Sequence, residues 1–150
     1  MAEFDKLFVI LVADDDMEDC MLVRDAMAET GVPHDLRFVR DGEELCEYLY
    51  HTGEYARGQD APRPHLILLD LKMPRKNGLE ALQQIKADPQ TRRIPVVALT
   101  TSMAVEDVRC CYDAGVNAYV TKPVSYHTLI DIMKSMAGYW FQTVKLPPRD

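Results

Sequence analysis

Five short apolar stretches recur along the chain, and three of them are apolar almost without interruption: LFVILVA, LILLD and IPVVALT. Continuous apolar stretches of this length are typical of strands that are covered on both faces, as in a parallel sheet between two layers of helices. The predicted strands are Leu7–Ala13, Leu36–Arg40, Leu66–Asp70, Ile94–Thr100 and Ala118–Thr121.

Segments with helical spacing follow each predicted strand. Apolar residues that recur three and four positions apart predict one buried helix face. The helices are marked, in chain order, by Met21, Leu22 and Ala26; by the acidic start Asp41-Gly42-Glu43-Glu44; by Leu79, Leu82 and Ile85; by Val105, Val108 and Tyr112; and by Leu129, Ile132, Met133 and Met136. Five strand–helix units with right-handed crossovers predict an α/β, three-layer, doubly wound (βα)5 flavodoxin-like fold with a five-stranded parallel sheet of order 2-1-3-4-5.

Length and composition indicate one globular domain, since the chain has 150 residues of which 47% are apolar. We expect residues 1–138 to form this domain and residues 139–150 to form an aromatic and proline-containing C-terminal extension, with no output domain. The net charge of −7 argues against binding to a nucleic-acid backbone.

Neither a membrane segment nor a cysteine site is indicated. No apolar run approaches the roughly 20 residues that cross a bilayer, and the chain does not begin with a basic segment, so we expect a cytoplasmic protein without membrane contact. The four cysteines lack C-x-x-C spacing, which favours reduced thiols over zinc or redox chemistry.

Polar residues stand at four of the predicted strand ends. Asp14 and Asp15 follow the first strand, Asp70 ends the third, Thr100 ends the fourth and Lys122 follows the fifth. Each alone has a structural explanation, such as a helix cap or a turn residue. In a sheet of this order, however, ligands bind beyond the carboxyl ends of the strands, between strands one and three, so we expect these side chains to form one site.

These residue types suit phosphoryl chemistry. Three carboxylates held close together oppose one another's ionisation, and a divalent cation relieves that conflict. Oxygen donors without His or Cys favour Mg²⁺, with Mn²⁺ as a substitute. Lys122 and Thr100 can donate to phosphoryl oxygens, and Asp70 can act as the nucleophile that becomes an acyl phosphate.

The same residues resemble the signature of receiver domains in two-component response regulators. That signature is an acidic pair after strand one, L-D-x-x-M-P after strand three, Thr or Ser after strand four and Lys-Pro after strand five. The matching positions are Asp14-Asp15, Leu69–Pro74, Thr100 and Lys122-Pro123, and the intervals of 30 residues from Asp70 to Thr100 and 22 from Thr100 to Lys122 are also those of receivers.

The resemblance implies a role for each of these residues. Asp70 is the phosphoacceptor; Asp14, Asp15, Asp70 and the backbone carbonyl of Lys72 hold Mg²⁺; Thr100 and Lys122 contact the phosphoryl oxygens; Tyr119 with Thr100 forms a switch; and Lys72, Thr101 and Ser102 tune dephosphorylation. The switch would act on the face formed by the fourth helix, fifth strand and fifth helix. A cis Lys122–Pro123 bond is also expected, since proline permits it at modest cost.

Three further parts of the chain narrow the resemblance: Gly53–Arg57 with Pro62–Pro64, Pro74–Gly78 and Trp140–Pro148. They are similar to segments of the single-domain regulators linked to bacterial phytochrome histidine kinases. This resemblance implies a sensor histidine kinase, of phytochrome type, and an unknown downstream protein as partners. A homodimer through the switch face and the C-terminal tail is a further expectation; the aromatic residues of the tail pack either on their own domain or against a second copy.

The function implied is therefore a stand-alone response regulator, a phosphoacceptor with only self-catalysed phosphotransfer and autodephosphorylation rather than an enzyme. A haloacid dehalogenase-type phosphatase also uses an Asp nucleophile after a strand, but it needs a second Asp two residues later, where this chain has Lys72. A phosphate sink or phosphorelay intermediate remains open. A degenerate receiver acting only as an interaction module is disfavoured by its intact carboxylates, which would destabilise the fold without a metal.

Overall fold

The computed structural model describes residues 7–57 and 60–148. Outside the described residues lie residues 1–6 of the predicted domain, residues 58–59 of the predicted loop and residues 149–150 of the predicted tail. The elements are β1 (Phe8–Ala13), α1 (Met17–Ala28), β2 (His34–Val39), α2 (Gly42–Tyr50), a 3-10 turn (Gly53–Tyr55), β3 (Leu66–Leu69), α3 (Gly78–Ala87), β4 (Val96–Thr100), α4 (Val105–Asp113), β5 (Ala118–Thr121), α5 (Tyr126–Ala137) and a π-helical turn (Gly138–Thr143). Within the described ranges, none of the helices is long and apolar enough to cross a membrane.

The sheet has five parallel strands in the order β2-β1-β3-β4-β5, so the predicted flavodoxin-like fold is confirmed. Register brings the strand ends level with one another: Ala13 of β1 lies opposite Leu69 of β3, which in turn lies opposite Ala98 of β4. The residues that follow these strands therefore meet at one edge of the sheet, which we call the carboxyl edge.

Two apolar layers explain why the central strands have no polar face. On one side of the sheet the buried cluster includes Leu11, Ile67 and Leu69 together with residues of α2, α3 and α4. On the other side Ile10, Leu68 and Leu99 pack with residues of α1 and α5. Alternate residues of each central strand thus enter opposite layers, and both layers exclude water.

Several element boundaries differ from the prediction for local reasons. β4 begins at Val96 rather than Ile94, because Pro95 has no N–H to donate to a neighbouring strand. In α1 the buried face is formed by Val23, Ala26 and Met27, spaced three and four residues apart, whereas Met21 and Leu22 are exposed. The helix exists as predicted, but two of the residues that marked it point away from the core.

The aromatic extension packs against its own domain. α5 runs back towards the amino ends of the strands, and the π-helical turn that follows it places the ring of Phe141 on Phe8 with centroids 4.3 Å apart. Trp140 and Phe141 both pack against the α1–α5 side of the core, while Tyr139 is exposed. This part of the tail therefore lies at the amino edge of the sheet, opposite the carboxyl edge.

Candidate functional site

The carboxyl ends of β1 and β3 bring three aspartates together. The Asp70 N–H donates to the carbonyl of Ala13 at 2.9 Å, which fixes the two strand ends side by side. Asp14, Asp15 and Asp70 each offer a carboxylate oxygen, and these oxygens lie within 4.8 Å of one another. Asp14 and Asp70 are only 4% and 8% exposed, whereas Asp15 is exposed. The structure thus assembles the three carboxylates that the sequence predicts at this edge.

Lys122 reaches this cluster from the end of β5. Its N–H donates to the carbonyl of Thr100 at 2.7 Å, which holds its backbone beside β4. Its ammonium Nζ donates to Asp14 Oδ2 and Asp19 Oδ2, each at 2.7 Å, and to Asp70 Oδ2 at 3.2 Å. Burial alone would favour the neutral amine, but these hydrogen bonds outweigh it and raise the pKa of Lys122 above its usual value.

The single positive charge of Lys122 does not balance the negative charges of the carboxylates around it. Burial raises the pKa of Asp14, and the charge of Asp70 adds to that rise, although Lys122 and the N–H of Asp16 counteract it. A second positive charge would relieve this conflict. Oxygen donors alone, close together and partly buried, are the ligands that Mg²⁺ and Mn²⁺ take, so the residues present fit a hard divalent cation.

Thr100 adds a hydroxyl without a partner at the end of β4. The residue is 0% exposed, and its Oγ1 is the buried side-chain atom that lacks a hydrogen bond among the described residues. A buried hydroxyl without a partner costs folding free energy, so its presence needs an explanation, such as a ligand that supplies the partner. An incoming phosphoryl oxygen would supply the missing acceptor.

Replacing Thr100 by Val is therefore expected to raise the free energy of unfolding by about 1–2 kcal/mol, because the orphaned hydroxyl is removed without changing the side-chain shape. The same variant should bind beryllofluoride, a phosphoryl mimic, more weakly. Thr91→Val is the matched control, since the buried Thr91 hydroxyl donates to the carbonyl of Ile85 at 2.8 Å. Urea denaturation should show a loss of stability for Thr91→Val and a gain for Thr100→Val; a loss in both would contradict the expectation.

A salt bridge fixes the loop that follows Asp70. Arg75 adopts a left-handed backbone with φ 61°, and its guanidinium donates to both oxygens of Asp41, at 2.9 and 3.2 Å. Asp41 also caps α2 by accepting from the N–H of Glu44 at 2.8 Å. Burial tends to raise the pKa of Asp41, but the hydrogen bonds from Arg75 and from the N–H of Glu44 lower it by more. The pKa of Asp41 therefore lies below the usual value.

Two glycines let the same loop approach the rest of the site. A Cβ at Gly42 would lie 2.3 Å from the carbonyl oxygen of Lys76, which accepts the Gly42 N–H at 2.8 Å. A Cβ at Gly78 would lie 2.2 Å from the carbonyl oxygen of Asp70. Any larger residue would displace the backbone at both places, so the segment around Asp70 is held tightly against the first turn of α3.

The predicted tuning and switch residues surround the cluster. Lys72 is exposed, and its N–H lies 3.4 Å from Asp70 Oδ1. Thr101 is exposed, while the Ser102 hydroxyl donates to the carboxylate of Asp107. The Tyr119 hydroxyl donates to the Ser102 carbonyl at 2.9 Å, and its ring packs partly buried against the α2–α3–α4 side of the core. Tyr119 is thus tied to the loop that follows Thr100.

The expectation of a cis Lys122–Pro123 bond is wrong. The described residues contain no cis peptide bond. Proline lowers the preference for trans but does not reverse it, so a cis bond forms only where the surrounding structure requires one.

A scan of protein families matches residues 10–134 to the model described as the response regulator receiver domain. The chain belongs to the response regulator receiver family. Receivers are signalling proteins, and the match spans β2 to β5, the last four residues of β1 and the cluster at the carboxyl edge. A curated relative, response regulator Rcp1 of Synechocystis sp., is 40% identical to this receiver over 139 residues, which is 93% of this chain and 92% of Rcp1.

Solved structures of relatives agree with this assignment. The structure described as the phosphorylated cyanobacterial phytochrome response regulator RcpA is 42% identical, with a TM-score of 0.87, and the match covers 95% of this receiver and all of that chain. The Mn²⁺-bound form of Rcp1 is 40% identical, with a TM-score of 0.85, and covers 94% of this receiver and 99% of that chain. The receiver therefore resembles phytochrome response regulators over nearly its whole length.

Proposed function

We propose that this receiver accepts a phosphoryl group on Asp70 from the phosphohistidine of a sensor histidine kinase of phytochrome type. The observation that carries the proposal is the ammonium of Lys122, which lies 3.2 Å from Asp70 Oδ2 at the edge where the carboxylates meet. The relatives support it, because one of them is described in a phosphorylated form and as a phytochrome response regulator. The proposal places the protein in the cytoplasm with its kinase.

The proposed reaction is a transfer between two nucleophiles. A carboxylate oxygen of Asp70 attacks phosphorus, the bond from phosphorus to the imidazole nitrogen breaks, and an acyl phosphate forms. Lys122 and the unpartnered hydroxyl of Thr100 donate to the phosphoryl oxygens. Water later attacks phosphorus and releases inorganic phosphate and the Asp70 carboxylate. The protein is thus a phosphoacceptor that is regenerated by its own slow hydrolysis.

A divalent cation completes the proposed site. Asp14, Asp15, Asp70 and the backbone carbonyl of Lys72 are the proposed ligands of Mg²⁺, with Mn²⁺ as a substitute, as in the Mn²⁺-bound relative. When bound, the cation supplies positive charge that neutralises the charge on the transferring group. Asp15 is the exposed member of the set and leaves one side of the cluster open to solvent.

The proposed output is a change on the α4-β5-α5 face. Phosphorylation draws the Thr100 hydroxyl towards the new oxygens, and Tyr119 leaves its bond to Ser102 and turns inward. That rearrangement alters the surface offered to a downstream protein. In this proposal the receiver, residues 1–138, carries both the chemistry and the output, and residues 139–150 are an extension of it.

A homodimer through the α4-β5-α5 face and the tail is a second part of the proposal. Val105 and Tyr112 of α4 expose apolar side chains, and Tyr139 exposes another in the tail. Light scattering at tens of micromolar, with and without beryllofluoride, should give a dimer mass in at least one state. A monomer mass in both states would reject the dimer.

Replacing Thr101 by Ala is expected to shorten the lifetime of the phosphoryl group. Thr101 is exposed beside Thr100, and in this proposal its side chain narrows the approach of water to Asp70. Hydrolysis of the acyl phosphate, followed by intact mass after the donor is removed, should therefore be faster in the variant. An unchanged rate would reject this role, and Ser102 and Lys72 would remain as the residues proposed to tune the lifetime.

Intact mass after incubation with Mg²⁺ and acetyl phosphate tests the proposed function. We expect a gain of about 80 Da, the mass of one phosphoryl group, only when Mg²⁺ is present. No gain with several donors, despite measured Mg²⁺ binding, would leave a very short-lived phosphoryl group or a degenerate receiver. Binding of beryllofluoride would identify the first, and its failure to bind would contradict the proposal.

A further inference from the structure

Lys122 has one partner that does not belong to the proposed metal and phosphoryl site. That partner is Asp19, in the first turn of α1, whose Oδ2 accepts from Nζ at 2.7 Å. The contact is as short as the one to Asp14 and shorter than the one to Asp70. Asp19 is partly buried, so water screens this ion pair less than it would a surface pair.

The start of α1 fixes the position of Asp19. The carboxylate of Asp16 caps the helix by accepting from the N–H groups of Glu18 and Asp19, at 2.9 and 3.1 Å. Because the cap binds the N–H of Asp19 itself, the backbone that carries this carboxylate is anchored. The Asp19 side chain is therefore presented to Lys122 by a rigid turn rather than by a loop.

The donors of Lys122 are fully used by its three partners. A lysine ammonium has three N–H donors, and here Asp14, Asp19 and Asp70 accept one each. Asp14 and Asp70 are also the proposed cation ligands, and Asp70 is the proposed phosphoacceptor. A cation on those two carboxylates weakens their bonds to the ammonium, since both positive charges compete for the same oxygens. Asp19 is then the partner that remains.

We propose that Asp19 is a positioning residue for Lys122, holding its ammonium beside Asp70 when a divalent cation occupies the carboxylates of Asp14 and Asp70. The inference rests on the proposed function, because it assigns that cation to the same cluster. Without Asp19 the flexible four-carbon stem of Lys122 would let the ammonium leave the site once the cation binds. With it, one N–H stays fixed and the other two are free to meet phosphoryl oxygens.

Nuclear magnetic resonance of ¹⁵N-labelled protein tests this by observing the Lys122 ammonium directly. An anchored ammonium exchanges its protons slowly and gives a resolved ¹H–¹⁵N signal, which is assigned by its absence from Lys122→Met. In the wild-type protein we expect the signal both before and after saturation with Mg²⁺. In Asp19→Asn we expect it without Mg²⁺, because Asp14 and Asp70 still hold the ammonium, and its loss when Mg²⁺ is added.

Glu18→Gln is the matched control. Glu18 is the exposed neighbour of Asp19 in the same turn, and its replacement removes the same charge. This variant should keep the signal with Mg²⁺, and its rate of adduct formation with acetyl phosphate should match the wild type. Asp19→Asn should form the adduct about tenfold more slowly, the scale of one lost charge-assisted hydrogen bond.

The outcomes separate this role from the proposed function. A signal that persists with Mg²⁺ in Asp19→Asn, or one that Mg²⁺ abolishes in the wild type, overturns the positioning role even if the phosphoryl adduct forms. Absence of the signal from the wild type without Mg²⁺ overturns it as well. If the ammonium signals are as expected but no adduct forms and beryllofluoride does not bind, the proposed function is contradicted and the anchoring of Lys122 is supported.

Discussion

Asp70→Asn is expected to eliminate the phosphoryl adduct, from a mass gain of about 80 Da in the wild type to none, under identical Mg²⁺ and acetyl phosphate. An amide lacks the nucleophilic oxygen pair of a carboxylate, so no acyl phosphate forms. The Asp70→Asn variant should fold as the wild type does. Because the charge of Asp70 raises the pKa of Asp14, removing it relieves repulsion, and stability without a cation should be equal or higher.

A second buried aspartate provides the control for this variant. Asp41 is bound by Arg75 and caps α2, away from the carboxylate cluster. Asp41→Asn keeps an acceptor for the cap but loses the ion pair, so it should be less stable than the wild type and still form the adduct. Intact mass and urea denaturation distinguish the two variants. An adduct of equal yield in Asp70→Asn would show that the phosphoacceptor is another residue.

Lys122→Met should destabilise the protein by about 3–5 kcal/mol in the absence of divalent cations, because it leaves buried carboxylates without their counter-charge. Asp14 and Asp70 lose their shared ammonium, and Asp19 loses it too. Methionine keeps most of the apolar stem, so the change isolates the charge. Mg²⁺ should restore much of the loss, since a cation that binds only the folded state stabilises it by an amount that grows with the logarithm of its concentration above the dissociation constant.

Lys86→Met tests whether that recovery is specific. Lys86 is also partly buried, and burial lowers its pKa to about 8. Its Nζ, however, donates to neutral oxygens, the carbonyls of Arg92 and Ile94 and the side chain of Asn117. The cation site of this variant is intact, so Mg²⁺ should stabilise it only as much as it stabilises the wild type, and the difference in free energy of unfolding between the two should not change. In Lys122→Met that difference should shrink when Mg²⁺ is added. Urea denaturation with and without Mg²⁺ measures both differences, and an equal change in the two would contradict a cation site at the carboxyl edge.

The fold and most of the cluster follow from the sequence because their signals are local. An uninterrupted apolar run identifies a strand covered on both faces, and the polar residue at its end is then placed by topology alone. Asp14 and Asp70 are each adjacent to such a run, and Lys122 follows the short predicted strand β5, so their convergence needs no tertiary detail. The register of the parallel strands then brings the strand ends level at one edge of the sheet.

Asp19 lacks a local signal of this kind. Asp19 is an acidic residue in the first turn of a helix, where its negative charge interacts favourably with the helix dipole. In the sequence this common role is enough to explain it. Its partner Lys122 lies 103 positions away, and the packing of α1 against α5, the helix that follows Lys122, brings them together. The outward position of Met21 has a similar origin, since apolar residues cover more of the α1 surface than the sheet can bury.

The distance between the aromatic extension and the carboxyl edge has a practical consequence for optical measurements. Trp140 is the only tryptophan of the chain, and it packs against the α1–α5 side of the core near the amino edge. Its fluorescence therefore reports whether that layer is folded, with no direct quenching by a cation or phosphoryl group at Asp70. Unfolding of every variant can be followed through this one indole, whichever ligand is present.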